Sequence, residues 1–305
     1  MKKITFLLMA LLGITAINAQ EFQGMAVYES KTSVPEMNNV RGPGGRDITP
    51  EMRKQFEERM KKALEKTFIL NFDKTSSIYK EEEKLDAPGE NGGMRMMANF
   101  MGGGGKHYKN VKEKKFALEK EVFGKEFLIS DTLKAITWKM EAETKKIGNY
   151  TCYKATAVVP ASQSDFRNMR PKSEEKLKAE EEAKKAAEAK TDVPKAEAEK
   201  RTNFMDQMEM VKEITITAWY APEIPINQGP ENYWGLPGLI LEVSDGRTTI
   251  LCSKVVLNTK EKTEIKVPTK GKKVTQAEFD DIVTKKVEEM RQMGGPGGGR
   301  PPRMN

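Results

Sequence analysis

One histidine and two cysteines bound what this chain of 305 residues can do by nucleophilic or acid-base chemistry. Any Ser-His-Asp or Cys-His arrangement would have to use His107, and neither Cys152 nor Cys252 has a helix start or a base beside it to activate its thiol. Acids number 45, so chance pairs are certain and none stands out by spacing. The run Gly102 to Lys106 is phosphate-loop-like only in part: Phe100 stands where the first glycine belongs, and His107 where the Ser or Thr after the lysine belongs. These residues predict a protein that is not an enzyme, with no catalytic residue and no cofactor to assign.

A softer constellation lies close by. Met94, Met96, Met97 and Met101 fall within eight residues and are followed by His107; thioethers and imidazole suit Cu(I), which makes copper the alternative cofactor. The competing reading is adaptable apolar surface, because the chain uses 18 methionines throughout and methionine is a common gap-filler. Met205, Met208 and Met210 form a second cluster open to the same two readings. Cys152 and Cys252 could pair in an oxidising compartment or remain two separate, partly buried thiols. The strand pattern puts Tyr153, Ala155, Ala157 and Val159 on the more apolar face and Cys152 opposite them, with Lys154 and Thr156.

Binding chemistry concentrates between Asn232 and Val243. Leu236 precedes a proline and is pushed toward extended geometry, while Pro237 and Gly238 suit the two central positions of a type II turn, with Gly238 at positive φ. Leu239 to Val243 then reads as a strand, Asp245-Gly246 as a two-residue hairpin turn and Thr248 to Val256 as the return strand. That loop pairs Val243 with Thr248, Leu241 with Ile250 and Leu239 with Cys252. Tyr220, Tyr233 and Trp234, with Gly235, Leu236, Pro237, Gly238 and Leu239, make the candidate surface for a ligand or partner, though such aromatics plug cores just as often.

Asn232 to Val243 resembles the signature of the GLPGLI family, exported proteins of Bacteroidota-type bacteria with no assigned activity. Phe127 to Asp131, Trp138-Lys139, Lys145 to Ala155 and Thr217 to Pro225 extend the resemblance, which is strong over residues 127–256 and weak over 25–28 and 70–79. It implies export, a β-rich envelope protein and gene neighbours that tend to encode TonB-dependent receptors. The partner expected from it is an outer-membrane receptor or another envelope protein.

Positioning falls to many short strands. Alternating segments recur at Gly24 to Thr32, Thr67 to Phe72, Ser76 to Glu82, Lys106 to Val111, Lys115 to Glu121, Glu126 to Ser130, Ala135 to Glu141, Lys145 to Ile147, Tyr150 to Val159 and Glu213 to Tyr220, joined by turns such as Phe123-Gly124 and Gly148-Asn149. Thr49-Pro50-Glu51 starts a helix striped with Met52, Phe56, Met60 and Leu64, and Thr275 to Glu278 is a capping box ahead of Phe279, Ile282, Val283 and Val287. Lys172 to Lys190 is charge-laced with no apolar stripe, a solvated helical or disordered insertion. The fold class expected is mainly β with α+β character: a curved antiparallel sheet or open half-barrel covered by the C-terminal helix. Such a sheet can offer a concave face to an apolar ligand.

The start of the chain, Lys2-Lys3 then Ile4 to Ile17 then Asn18-Ala19-Gln20, reads as a signal peptide over 1–19, cut near Ala19. One β-rich domain over 20–293 follows, carrying a Gly/Met-rich insertion at 84–106, the charged insertion at 161–205, and a Gly/Pro tail at 294–305. No apolar run in the mature chain approaches the roughly 20 residues of a membrane-spanning helix. A mean hydropathy of −0.65 fits a periplasmic or secreted protein with much exposed surface. The charge of +7 is dispersed rather than gathered beside aromatics, which excludes a nucleic-acid role.

Overall fold

The computed structural model describes residues 22–33, 49–82, 104–188, 208–258 and 263–292. Strands form where apolar and polar residues alternate, and two meanders result. The first runs β1 (Gln23–Thr32), β2 (Glu65–Asp73), β3 (Ser76–Glu81), β4 (Lys106–Asn110), β5 (Lys115–Val122) and β6 (Lys125–Thr132), each antiparallel to the next. Between β5 and β6 the turn pairs Val122 with Lys125, and Phe123 and Gly124 both take positive φ, as a type I′ turn requires.

The second meander begins with β7 (Lys139–Ile147) and β8 (Tyr150–Pro160). Residues 133–138, expected to be strand in part, lie outside it because Trp138 is committed elsewhere: its indole donates to the Trp234 carbonyl at 2.9 Å. After β8 the chain leaves the sheet through a 3-10 turn, Phe166–Asn168, then β9 (Met169–Pro171) and helix Glu174–Glu188, and returns by β10 (Met208–Met210), which pairs with β9. It rejoins the sheet as β11 (Glu213–Ala221), β12 (Leu239–Ser244) and β13 (Thr248–Leu257).

β13 pairs with β1 and fuses the two meanders into one sheet of 12 strands, curved and not closed. The expected fold class is the one observed. A final short strand, β14 (Lys272–Val274), joins the far edge parallel to β6, an addition to an otherwise antiparallel pattern. It leads directly into the C-terminal helix.

Three helices complete the described residues. Helix α1 (Pro50–Ala63) starts where the Thr49 hydroxyl accepts the Met52 amide, and of its expected stripe Met60 and Leu64 are buried while Met52 is exposed. Helix α2 is the segment Glu174–Glu188 already named. Helix α3 (Gln276–Gln292) opens on the expected capping box: Thr275 Oγ1 accepts from the Glu278 amide and Glu278 Oε2 from the Thr275 amide. Its Phe279 and Val283 are each 1% exposed, and Phe279 meets Phe127 of β6 edge-on at 5.3 Å.

The hairpin of β12 and β13 exists, in a different register from the one a two-residue turn would set. Val243 faces Ile250 and Ser244 faces Thr249. The cause is Asp245, whose Oδ1 accepts the amides of Arg247 and Thr248 at 2.8 and 2.6 Å and so widens the loop. A shift of two keeps every side chain on its expected face. Gly238 is corrected more sharply. It is absent from the positive-φ residues, and its requirement is closeness, since a Cβ there would meet the Ala221 carbonyl oxygen at 2.3 Å. The chain crosses itself at that point, with Leu239 N–H bonded to the Ile224 carbonyl.

Candidate functional site

The curved sheet turns strands of both meanders toward one cleft of about 720 Å³. His107, Phe116, Leu118, Lys120 and Ile129 line it from β4, β5 and β6; Val159, Ile214, Val243 and Ile250 line it from the other meander. Most of residues 160–168, with 231–233 and the start of α3, complete its rim. Aliphatic and polar side chains share the walls. Its polar end is a cluster of charged side chains that no single stretch of sequence contains.

Arg167 is the hub of that cluster. Asp165 precedes the 3-10 turn and accepts the Arg167 backbone amide, and the Arg167 side chain folds back on it, Nε to Oδ1 at 3.0 Å and Nη2 to Oδ2 at 2.7 Å. The other edge of the guanidinium reaches Glu231, Nη1 to Oε1 at 2.7 Å and Nη2 to Oε2 at 3.1 Å. Burial acts to raise both carboxyl groups, but the guanidinium outweighs it, holding Asp165 down at about 2 and Glu231 below its usual range. Both acids are therefore charged and fully engaged.

Beneath them lies the loop 222–238, which crosses the inside of the sheet. Lys109, 1% exposed, donates to the carbonyls of Gly229 and Glu231, the latter at 2.7 Å. Burial pulls its ammonium down to about 7, against the opposing pull of Glu231. Ser77 Oγ holds Gln228 Oε1 at 2.9 Å, and the Tyr28 hydroxyl donates to the Ile240 carbonyl at 2.8 Å. Lys109 thus acts as a buried cap for loop carbonyls that no strand satisfies.

His107 edges the cleft with its ring against Tyr79, at 6.1 Å between centroids, and its Nδ1 has no hydrogen-bond partner among the described residues. Burial is the main cause that lowers the imidazole to about 4, so it is neutral at physiological pH. Lys120 is lowered as well, chiefly by burial, with Asp165 opposing. Its ammonium makes no hydrogen bond or ion pair among the described residues.

The residues singled out from sequence divide accordingly. Tyr220 and Trp234 are each 8% exposed and Leu236 and Leu239 are fully buried, so they fill the core; Trp234 Nε1 donates to the Lys134 carbonyl at 2.9 Å. Gly235, at φ 94, and Pro237 are exposed at the surface of the loop. Of that set, Tyr233 lines the cleft. Met94, Met96, Met97 and Met101 lie outside the described residues, as do residues 1–19 and 294–305. Met208 is core filler at 4% exposure. Among the described residues no three His, Cys, Asp or Glu side chains gather as metal ligands.

Cys152 and Cys252 are free thiols, both buried in the same apolar cluster. Burial pushes them up to about 11 and about 12. Cys152 was expected on the less apolar face of its strand and is 0% exposed. The chain after β11 covers that face: Glu223 accepts the Thr151 amide at 3.0 Å and Ile224 joins the cluster.

Sequence reasoning missed Lys109, Lys120, Asp165, Arg167 and Glu231. Lys120 left a legible signal, a lysine in the alternating row Phe116, Leu118, Lys120, Val122. Asp165 and Arg167 left none, since they fall in the stretch 161–205 set aside as an insertion.

A curved, open β-sheet enclosing a cleft with a locked ion cluster defines a class of architecture, and comparisons with known proteins add a family likeness. Residues 138–242 match the family model described as "Protein of unknown function (Porph_ging)". That stretch runs from Trp138 into β12 and contains Asp165, Arg167 and Glu231. No curated protein matches the chain. Two solved structures of PNGF-II, in the C2 and P21 space groups, are similar at 12% and 14% identity with TM-scores of 0.42 and 0.43. Each comparison covers 87% of this chain and 33% of the PNGF-II chain, so this chain spans a third of that protein's length.

Proposed function

We propose that this protein is an exported, non-enzymatic binding protein of the cell envelope, of the GLPGLI type its signature resembles, and that the cleft is its ligand seat. The observation that carries the reading is the cleft itself, about 720 Å³ and within the range of small-molecule sites, ~300–1,000 Å³, with an aliphatic stretch of wall beside a strongly polar and charged one. Against catalysis stands the state of the charged groups. Asp165 and Glu231 are the nearest thing to an acid-base pair, yet every carboxylate oxygen accepts from Arg167. His107 is neutral, and among the described residues no acid hydrogen-bonds to its Nδ1 to orient it.

In this reading the signature supports the site without displaying it, and an outer-membrane uptake receptor of the TonB-dependent kind is the partner to which a ligand would pass. The test is native mass spectrometry of the protein purified from the envelope of producing cells, with crosslinking to outer-membrane receptors. A mature chain starting near Gln20, carrying a ligand that Ala277→Trp excludes, is expected; Ala277 is exposed at the rim, so the fold is spared. An equal load in that variant, or turnover of a small substrate by the protein alone, would overturn the reading.

The alternative is a periplasmic copper site, favoured by His107, which follows the Met-rich run and whose Nδ1 has no hydrogen-bond partner among the described residues. Replacing Met94, Met96, Met97 and Met101 with leucine should then abolish Cu(I) uptake. Equal Cu(I) affinity in the two proteins would remove it.

A further inference from the structure

Although acids outnumber bases in the cleft lining, one cation on its buried side has no polar partner among the described residues, and it points to the chemistry of the occupant. On β5 the side chains of Phe116, Leu118, Lys120 and Val122 alternate onto one face, and the three apolar ones are buried. Lys120 is therefore a cation in an apolar row, opposite Phe127 and one step from the Leu118 and Ile129 pair. The other buried or half-buried cations nearby are all engaged: Lys66 with Glu81 at 3.0 Å, Lys109 with two carbonyls, Arg167 with Asp165 and Glu231. The two carboxylates that attract Lys120 have already spent their oxygens on Arg167.

An ammonium left beside apolar walls without a hydrogen-bonded partner is costly, and an anion delivered to it removes that cost. His107, whose electrostatic neighbours include Lys120, also lines the cleft, and its Nδ1 is buried without a hydrogen-bond partner among the described residues. Away from this end the walls are Leu118, Ile129, Leu133, Ile136, Val159 and Ile214. Their shape is aliphatic and suits a flexible chain. Asp131, Asp245 and Asp280 also line the cleft and would repel a molecule carrying several negative charges.

Resting on the reading of the cleft as a ligand seat, we propose that the occupant is an aliphatic carboxylate, a molecule of fatty-acid type, with its head on the Lys120 ammonium and its chain along the aliphatic wall. The test is calorimetric titration of the full chain with decanoate and with decan-1-ol, in wild type, Lys120→Met and Lys120→Arg. Wild type should bind decanoate at one site about tenfold or more tighter than the alcohol, the usual scale for a hydrogen bond to a charged group. Lys120→Met should lose that preference, binding decanoate about tenfold more weakly and the alcohol as before, without a fall in Tm. Lys120→Arg should keep it.

Equal binding of acid and alcohol by wild type would overturn the head-group assignment, as would unchanged decanoate affinity in Lys120→Met. Binding of neither probe would overturn the aliphatic acid altogether. The ligand seat would then stand or fall on the mass spectrometry of the Ala277→Trp variant.

Discussion

At the scale of single residues, Arg167 has the most to lose. It neutralises two carboxylates that burial would otherwise penalise, and its side chain is only 13% exposed. Arg167→Met leaves two buried charges uncompensated and should cost about 3–5 kcal/mol in urea denaturation. A lysine at that position should recover less than half, because one ammonium cannot bridge both acids. His107 offers a cleaner reading, being the one histidine in the chain. Its imidazole, lowered to about 4, should give a single NMR titration centred there rather than near the ordinary ~6.5. Between those values the unfolded chain takes up a proton that the folded one refuses, so stability must fall as pH drops from about 6.5 to 4. Lys109 acts in the same direction higher up: its folded value of about 7 lies below the unfolded one, so stability rises with pH from there toward ~10.4. A Lys109→Met variant should flatten that rise in Tm.

Elements were far more legible than the residues that meet between them. Alternation located β1 to β5 within a residue or two, and the capping box located α3, because both are local consequences of backbone geometry. What alternation cannot say is which strand lies across the cleft from which, and the cluster of Lys120, Arg167 and Glu231 depends on that. The two glycines of the signature region separate two kinds of constraint. Gly238→Ala would drive a Cβ into the Ala221 carbonyl, a backbone atom that cannot swing away, and should cost about 1–3 kcal/mol or more. Gly246→Ala meets nothing within 4 Å but sits at φ 83, so its cost is left-handed strain alone, about 1–2 kcal/mol. Denaturation midpoints of the two variants, and of Gly238→Ser, should rank by crowding and not by φ. A Gly246→Asn change should be nearly silent, since asparagine tolerates that region.

For the molecule as a whole, the segment 161–205 shows how far composition can mislead. Its charge-laced middle takes the helical of the two forms expected, but its base is woven into the core: Phe166 and Met169 are buried with α3, and Ser164 donates to Asp280. A chain with 32% charged residues still reserves a few of them for the interior, and only the tertiary arrangement reveals which. The pairing of β1 with β13 carries a further consequence, for the order in which the chain can assemble. The Tyr28 hydroxyl reaches a carbonyl 212 residues away, and Ala26 and Tyr28 are fully buried between strands from opposite ends of the sequence. Each meander is built from neighbours and can zip locally, but the seam between them waits until nearly the last strand has emerged. Folding should therefore show a fast phase for the halves and a slow one for the seam. A chain lacking residues 22–33 should stall before that last step. Adding those residues back as a separate peptide should restore near-UV circular dichroism, which would make β1 a detachable latch on a sheet otherwise ready to receive it.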